Sequence, residues 1–281
     1  MAYFHRHSNV SFLATESTGG AWNTAEQHIA PSLGLLVHCV ERDRDARRSD
    51  GMLIGRLSYD ILGTVPIGTV DATVTVVRAG RTVELVHAAL HHHGRAYLSL
   101  HAWLMKPGDT TALAGTPLAA IPGEDQMPAW DPTKVWPGGY IASTRVRRDQ
   151  AAPGRARYWV HSTETLLHDE PTSTLARAAT LFDIANGMTV RQDPREVAFP
   201  NVDLTVHLFT QPRTDYLGFD TRVSFGNQAI GLTQTTLHDG YGPIGSMSQI
   251  LTIRPVPNAP NAPGDPHLAA SSPQPTANAV Q

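Results

Sequence analysis

The strongest constraint on this chain is a repeat of long period. Gly80, Leu90 and Pro107 have counterparts in Gly226, Leu237 and Pro255, a steady offset of roughly 147 residues. Around each set the layout is the same: a short extended region, a helix, then about four strands. A helix-and-sheet unit of this kind buries its apolar sheet face on its own helix. The spacing predicts one helix wrapped by an antiparallel sheet, built twice in one chain, an α+β fold.

In the first copy, residues 23–42 carry Ile29, Leu33, Leu36, Val37 and Val40 at helical spacing. Pro31 is expected to break or bend the first turn. Strands are expected at 53–62, 69–78, 82–91 and 96–105, with hairpin turns at 79–81 and 92–94. In one of them Val70, Ala72, Val74 and Val76 alternate with Asp71, Thr73, Thr75 and Val77. In the second copy, strands at about 139–148 and 156–164 lead to a helix from Ser173 to Asn186, ended by Gly187. More strands are expected at 201–210, 216–225, 229–238 and 245–254. The units are read as 1–107 and 139–255. A Pro-, Gly- and Asp-rich linker, 108–138, joins them, and its part from Leu113 to Ile121 is expected to pack against the body. The tail, 256–281, has too few large apolar groups to offset the entropy of ordering and is expected to be disordered.

Hydrophobic residues make up 41% of the chain, enough for an ample core, and the net charge of −3 argues against a broad nucleic-acid footprint. No apolar run approaches the length of a membrane span, and the start, MAYFHRHSNV, lacks the apolar stretch of a signal peptide. Cys39 is the only cysteine, so neither a disulfide framework nor a thiolate metal cluster is expected. These features suit a soluble cytoplasmic protein.

Four stretches carry a family resemblance: RLSYDILGTVPIG (56–68), VVRAGRTVELVHAAL (76–90), RARYWVHSTETLLHDEPTSTLARAATLFDIANGM (155–188) and GSMSQILTIR (245–254). In this order and spacing they resemble the thioesterase-like superfamily and, more narrowly, the TesB-like double-hotdog acyl-CoA thioesterases. The resemblance covers most of residues 20–255. It implies two tandem hotdog units, each an antiparallel sheet around a central helix, and hydrolysis of acyl-CoA thioesters. Acyl-CoA is the implied substrate, with an acyl carrier protein as the other thioester donor. No cofactor, metal, nucleic acid or membrane partner is expected. The exposed sheet of a double hotdog invites pairing, so a homo-oligomer is open.

One carboxylate stands out. Leu175, Ala178, Ala179 and Phe182 form one apolar helical stripe, and Asp183 lies on its flank with Asn186 one turn later. A buried carboxylate must find hydrogen bonds or a cation, or take up a proton. Periodicity leaves two readings of Asp183 open: a structural acid that fills a backbone gap or pairs with a buried arginine, and a functional acid. Asn186 before Gly187 reads as a helix stop. The resemblance implies that Asp183 is the acid of the second hotdog helix, which holds the attacking water with two polar neighbours. Those neighbours map onto Asn201 and Gln249. Gln249 shares a strand face with Met247, Leu251 and Ile253, where apolar groups otherwise point; its alternative is a chance polar residue near a sheet end. The family often carries a hydroxyl residue at the place of Asn201. An amide can also donate and accept, and contact with the thioester oxygen is its alternative role. Backbone N–H groups near Gly20 to Asn23, at the expected start of the other helix, are the expected receivers of the oxyanion. The acyl chain is expected in an apolar tunnel between the halves.

Other features read as structural. Arg145, Arg147, Arg148, Arg155 and Arg157 read as a solvated basic hairpin rather than a phosphate clamp, and Arg78 and Arg81 likewise. His91, His92 and His93 alternate faces and read as a polar turn rather than a metal site. His38 and Cys39 lie near the place equivalent to Asp183; Cys39 reads as core and the first half's site as degenerate. His207 reads as a satisfied sheet histidine, with a pocket-lining side chain as its alternative. GlyGly at 19–20 is too short for a phosphate loop, and no GxSxG elbow is present. Three functions are weighed: thioester hydrolase, enoyl-thioester hydratase and non-catalytic acyl-thioester binder. The second wants a His paired with Asp183, and none follows through Met188.

Overall fold

Alternating burial marks the strands of both copies in the computed structural model, which describes residues 1–256. Beyond Val256, the tail expected to be disordered lies outside the described residues. The first copy contributes Leu53–Ile61, Thr69–Arg78, Val83–His92 and Arg95–Met105. The second contributes Asp203–Leu208, Tyr216–Phe225, Ile230–Asp239 and Gly242–Thr252. All belong to one sheet of 14 strands. Outward from the centre each copy has the same order: the first of its four strands, then the fourth, third and second. This is the double hotdog.

The copies meet where Leu53–Ile61 pairs antiparallel with Asp203–Leu208, Ser58 opposite Thr205. These two residues are 147 apart in sequence, and their hydroxyls hydrogen-bond at 3.0 Å. In an antiparallel pair, the residue that faces its own repeat mate marks the two-fold axis. The repeat offset thus locates the seam of the sheet. One pairing departs from the antiparallel rule: Ala2–Arg6 runs parallel to Thr165–Leu167 and ties the N-terminal strand to the second copy.

Both helices differ from expectation. The first is Ile29–Arg47, shifted towards the C-terminus of 23–42, with His28 as its N-cap. Pro31 does not break it. It occupies the third helical position, where a backbone N–H has no intrahelical acceptor to lose. The second helix is not continuous. Thr174–Ala179 gives way to a tight turn, Phe182–Ile184, and then Ala185–Met188. Asp183 sits in the break with φ −83° and ψ 35°. The cause is Tyr140, whose hydroxyl donates to the Thr180 carbonyl at 2.7 Å. The N–H groups of Thr180 and Leu181 bond back three residues, to Arg177 and Ala178. A side chain inserted into the ladder is a standard origin of such kinks. Tyr140 comes from a helical turn, Gly139–Ala142, where a strand was expected; the strand begins at Thr144.

The helices touch backbone to backbone at Gly34. A Cβ there would lie 2.5 Å from the Ala176 carbonyl oxygen and from the Thr180 methyl. This approach brings the start of the first helix beside the break in the second. The linker crosses the outer face of the second copy, where Ile121 and Met127 cover Trp159. Trp159 donates its indole N–H to the Pro122 carbonyl at 2.9 Å. Leu113 is exposed, so the packing begins nearer Ile121.

Candidate active site

Asp183 is 7% exposed, and no arginine pairs with it among the described residues. Its Oδ1 accepts from Asn201 Nδ2 at 2.5 Å and from Gln249 Nε2 at 3.0 Å. The kink turns the carboxyl towards them. Asn201 stands just before Asp203–Leu208 rather than inside that strand, held by a single bridge to Leu251. It also donates to the Asp203 carbonyl. Gln249 is fully buried between Met247 and Leu251 on the inward face of its strand. The three residues named from sequence therefore converge on one point, and the arginine-paired reading of Asp183 falls away.

The electrostatics are unusual. Burial raises the Asp183 carboxyl to about 7, and the two amide donors only partly oppose it. Both amides grip Oδ1, so Oδ2 remains open. A cavity of about 140 Å³ reaches Asp183 and Asn201 from the seam between the copies. Trp22, His28 and Ile61 line it from the first copy, Trp136 from the end of the linker, and Ile141 and Met188 from the second copy. Gln249 lies behind the carboxyl and does not line it. Its Oε1 is sealed from solvent without a partner among the described residues. Asn186 lines the cavity, and its amide donates to the Phe199 carbonyl at 3.2 Å, pinning the segment that carries Asn201.

Sequence reasoning missed His28. Its Nδ1 lies 3.9 Å from Asp183 Oδ2, across the seam. This is not an ion pair. Burial lowers the imidazole to about 3, and Nδ1 already accepts the Ala30 N–H at 3.2 Å as the helix cap. A His directly before a helical run was the available signal, but His is an uncommon cap. The expected helix start near Gly20 to Asn23 is corrected: these residues form a loop, and the helix begins at Ile29. The Gly20 N–H is taken by the Glu26 carbonyl at 2.7 Å.

Other side chains lie elsewhere. Arg155 and Arg157 face Asp220, and Arg147 donates to the Met127 carbonyl at 2.7 Å. Arg148 stacks 3.6 Å over Trp130. The basic hairpin is therefore only partly solvated. His207 is exposed on the outer sheet face rather than satisfied in the sheet. Among the described residues no group of three His, Cys, Asp or Glu side chains is arranged to hold a metal, and no helix is long and apolar enough to cross a membrane.

Comparison with known proteins matches this architecture. The family model for the acyl-CoA thioesterase N-terminal domain matches residues 18–105, and that for the acyl-CoA thioesterase C-terminal domain matches 118–253. The chain is similar in structure to the acyl-CoA thioesterase II TesB2 of Mycobacterium marinum, with a TM-score of 0.63 and 13% identity over 91% of this chain and 96% of that one. It is similar to a conserved protein of unknown function with a hot dog fold from Alicyclobacillus acidocaldarius, with a TM-score of 0.67 and 13% identity over 89% and 95%. A tesB protein of Mycobacterium avium subsp. paratuberculosis gives 0.60 and 14% identity over 90% and 96%. No curated protein matches the chain. At such identities the solved structures speak for the fold alone, the double hotdog, whereas the two family models together span most of the chain: it belongs to the acyl-CoA thioesterase family that those N- and C-terminal domain models describe.

Proposed function

We propose that this protein hydrolyses acyl-CoA thioesters to a free acid and CoA, with Asp183 as general base. The observation that carries the reading is a buried carboxylate whose one oxygen is fixed by two neutral amides while the other faces a cavity. A carboxyl near 7 is poised for proton transfer at neutral pH. Asn201 and Gln249 hold the carboxylate in place, and a water on Oδ2 stands towards the cavity. Asn201, which lines the cavity, also reaches that water. Ile61, Ile141 and Met188 offer an apolar wall for the acyl chain. The two copies work as one unit, since neither lines the cavity alone.

The test is thiol release over a panel of acyl-CoAs of varied chain length, for the protein and for Asp183→Asn. Release by the first and its loss in the second support the reading. Saturable binding without release would assign the protein as an acyl-thioester binder.

One observation favours a second reading, enoyl-thioester hydration: His28 and Asp183 face one cavity from opposite halves. Against it, an imidazole held near 3 with its Nδ1 lone pair engaged is a poor base. Water addition to an enoyl thioester without thiol release would favour that chemistry.

A further inference from the structure

The first helix delivers a side chain to the cavity whose hydrogen-bonding state is fixed by the backbone. His28 Nδ1 accepts the Ala30 N–H at 3.2 Å. A ring nitrogen that accepts an N–H carries no proton, so the neutral ring keeps its proton on Nε2. Nε2 has no partner among the described residues, yet it is not sealed from solvent. The space it meets is the cavity, which His28 lines. The ring rests against Tyr140, centroids 4.3 Å apart, and the Tyr140 hydroxyl is committed to the Thr180 carbonyl. His28 is therefore held in place, with its Nδ1 edge 3.9 Å from the open oxygen of Asp183 and its Nε2–H unpartnered among the described residues.

We propose that His28 is a further catalytic residue: its Nε2–H donates to the thioester carbonyl oxygen as that oxygen becomes negative. This rests on the hydrolase reading above and supplies a side-chain oxyanion donor on the wall where the Gly20 N–H is already engaged. In the step, the water oxygen bonds to the carbonyl carbon and its proton passes to Asp183 Oδ2. The carbonyl π pair moves onto oxygen and is met by Nε2–H. When the carbonyl re-forms, the C–S bond breaks, its pair leaves on sulfur, and the thiolate takes the proton from Asp183. His28 neither gains nor loses a proton. Three ionisable groups share its surroundings: Tyr140, on which the ring rests, Asp183 across the seam, and Glu26, whose Oε1 accepts the Thr64 hydroxyl at 2.9 Å. A neutral donor suits this place, because a buried imidazolium would bear the full cost of desolvation and would draw the base into an ion pair.

The variant is His28→Ser. Serine caps a helix well, so stability is retained while the reach of the donor is lost. We expect kcat to fall about a hundredfold or more, the usual effect of removing one oxyanion donor, with little change in KM. The rising limb of the pH profile, set by Asp183, should stay where it was. Nitrogen NMR of the unmodified protein should show His28 protonated at Nε2 alone, without titration where free imidazole titrates. An unchanged kcat in a folded His28→Ser, or a His28 ring that titrates normally, overturns the proposal while leaving Asp183 hydrolysis standing. If the unmodified protein releases no thiol from any acyl-CoA, the hydrolase reading fails and this inference with it. Should His28→Ser not fold, His28→Asn and the NMR measurement decide in its place.

Discussion

The two halves share a backbone plan and treat the middle of their helices in opposite ways. The caps His28 and Ser173 stand 145 residues apart, and by that offset His38 is the counterpart of Asp183. His38 sits in a network of charges: its Nε2 lies 2.9 Å from Glu170 Oε1, and Arg6 grips Glu170 at 2.6 and 2.8 Å. Arg42 adds a contact to the same carboxylate at 3.2 Å. Where Gln249 meets Asp183, the first half has Ala102 at the matching place on its strand. At the matching cap, Ser173 donates to Glu41 at 2.6 Å instead of facing a cavity. Arg6 pulls Glu170 down to about 2, while burial lifts Asp183 to about 7. One fold thus holds one acid neutralised by cations and another left without a cation. The first stabilises; the second is poised to move a proton.

Four experiments break or sharpen this contrast. The largest effect is expected for Asp183→Asn, which should lower turnover about a thousandfold or more, read by thiol release. The same variant should alter stability against pH. The raised carboxyl binds a proton more tightly in the folded state, so folding stability falls as pH rises from 3.8 towards about 7. The amide should abolish that fall, and the variant should melt higher than the unmodified protein at alkaline pH. Next comes Gly34→Ala, which forces a methyl into the Ala176 backbone. We expect a loss of about 3 kcal/mol by denaturant titration, and turnover reduced because His28 and Asp183 move apart. Gln249→Ala removes a donor that favours the ionised acid. The rising limb of the rate against pH should therefore shift to higher pH, by about one unit. The smallest effect belongs to Glu170→Gln. It should cost about 1 kcal/mol and leave kcat unchanged. The stability owed to Glu170 is present above the ordinary carboxylate range and lost as pH falls through about 2. A kinetic defect in Glu170→Gln would mean that the first half is not merely structural.

Much of the fold was legible in local pattern. Strand alternation from Thr69 to Val77 survives because one face is core and the other solvent, so each side chain's sign is set by its neighbours in sequence; it ends at the bulge before Arg78. The repeat offset of roughly 147 was legible, but that it falls at the sheet seam, with Ser58 opposite Thr205, came only from the structure. Helix limits were less legible. The break at Asp183 depends on Tyr140, which stands 43 positions earlier, so periodicity within the helix could not show it. His28 left only a weak cap signal before its helix, and its nearness to Asp183 depends on the other half.

From its residues alone, the chain determined the doubled helix-and-sheet plan, the inward Gln249 and the presence of one isolated acid on a buried helix. Those features follow from side-chain period and composition, which act over a few residues at a time. Tertiary structure alone decided that Asn201 and Gln249 grip the same oxygen, that the other oxygen faces a cavity, and that His28 stands opposite with a fixed tautomer. The first joins elements of the second copy that lie far apart in sequence; the other two need groups brought together across the seam, where two helices pack at Gly34 and two strands pair at Ser58.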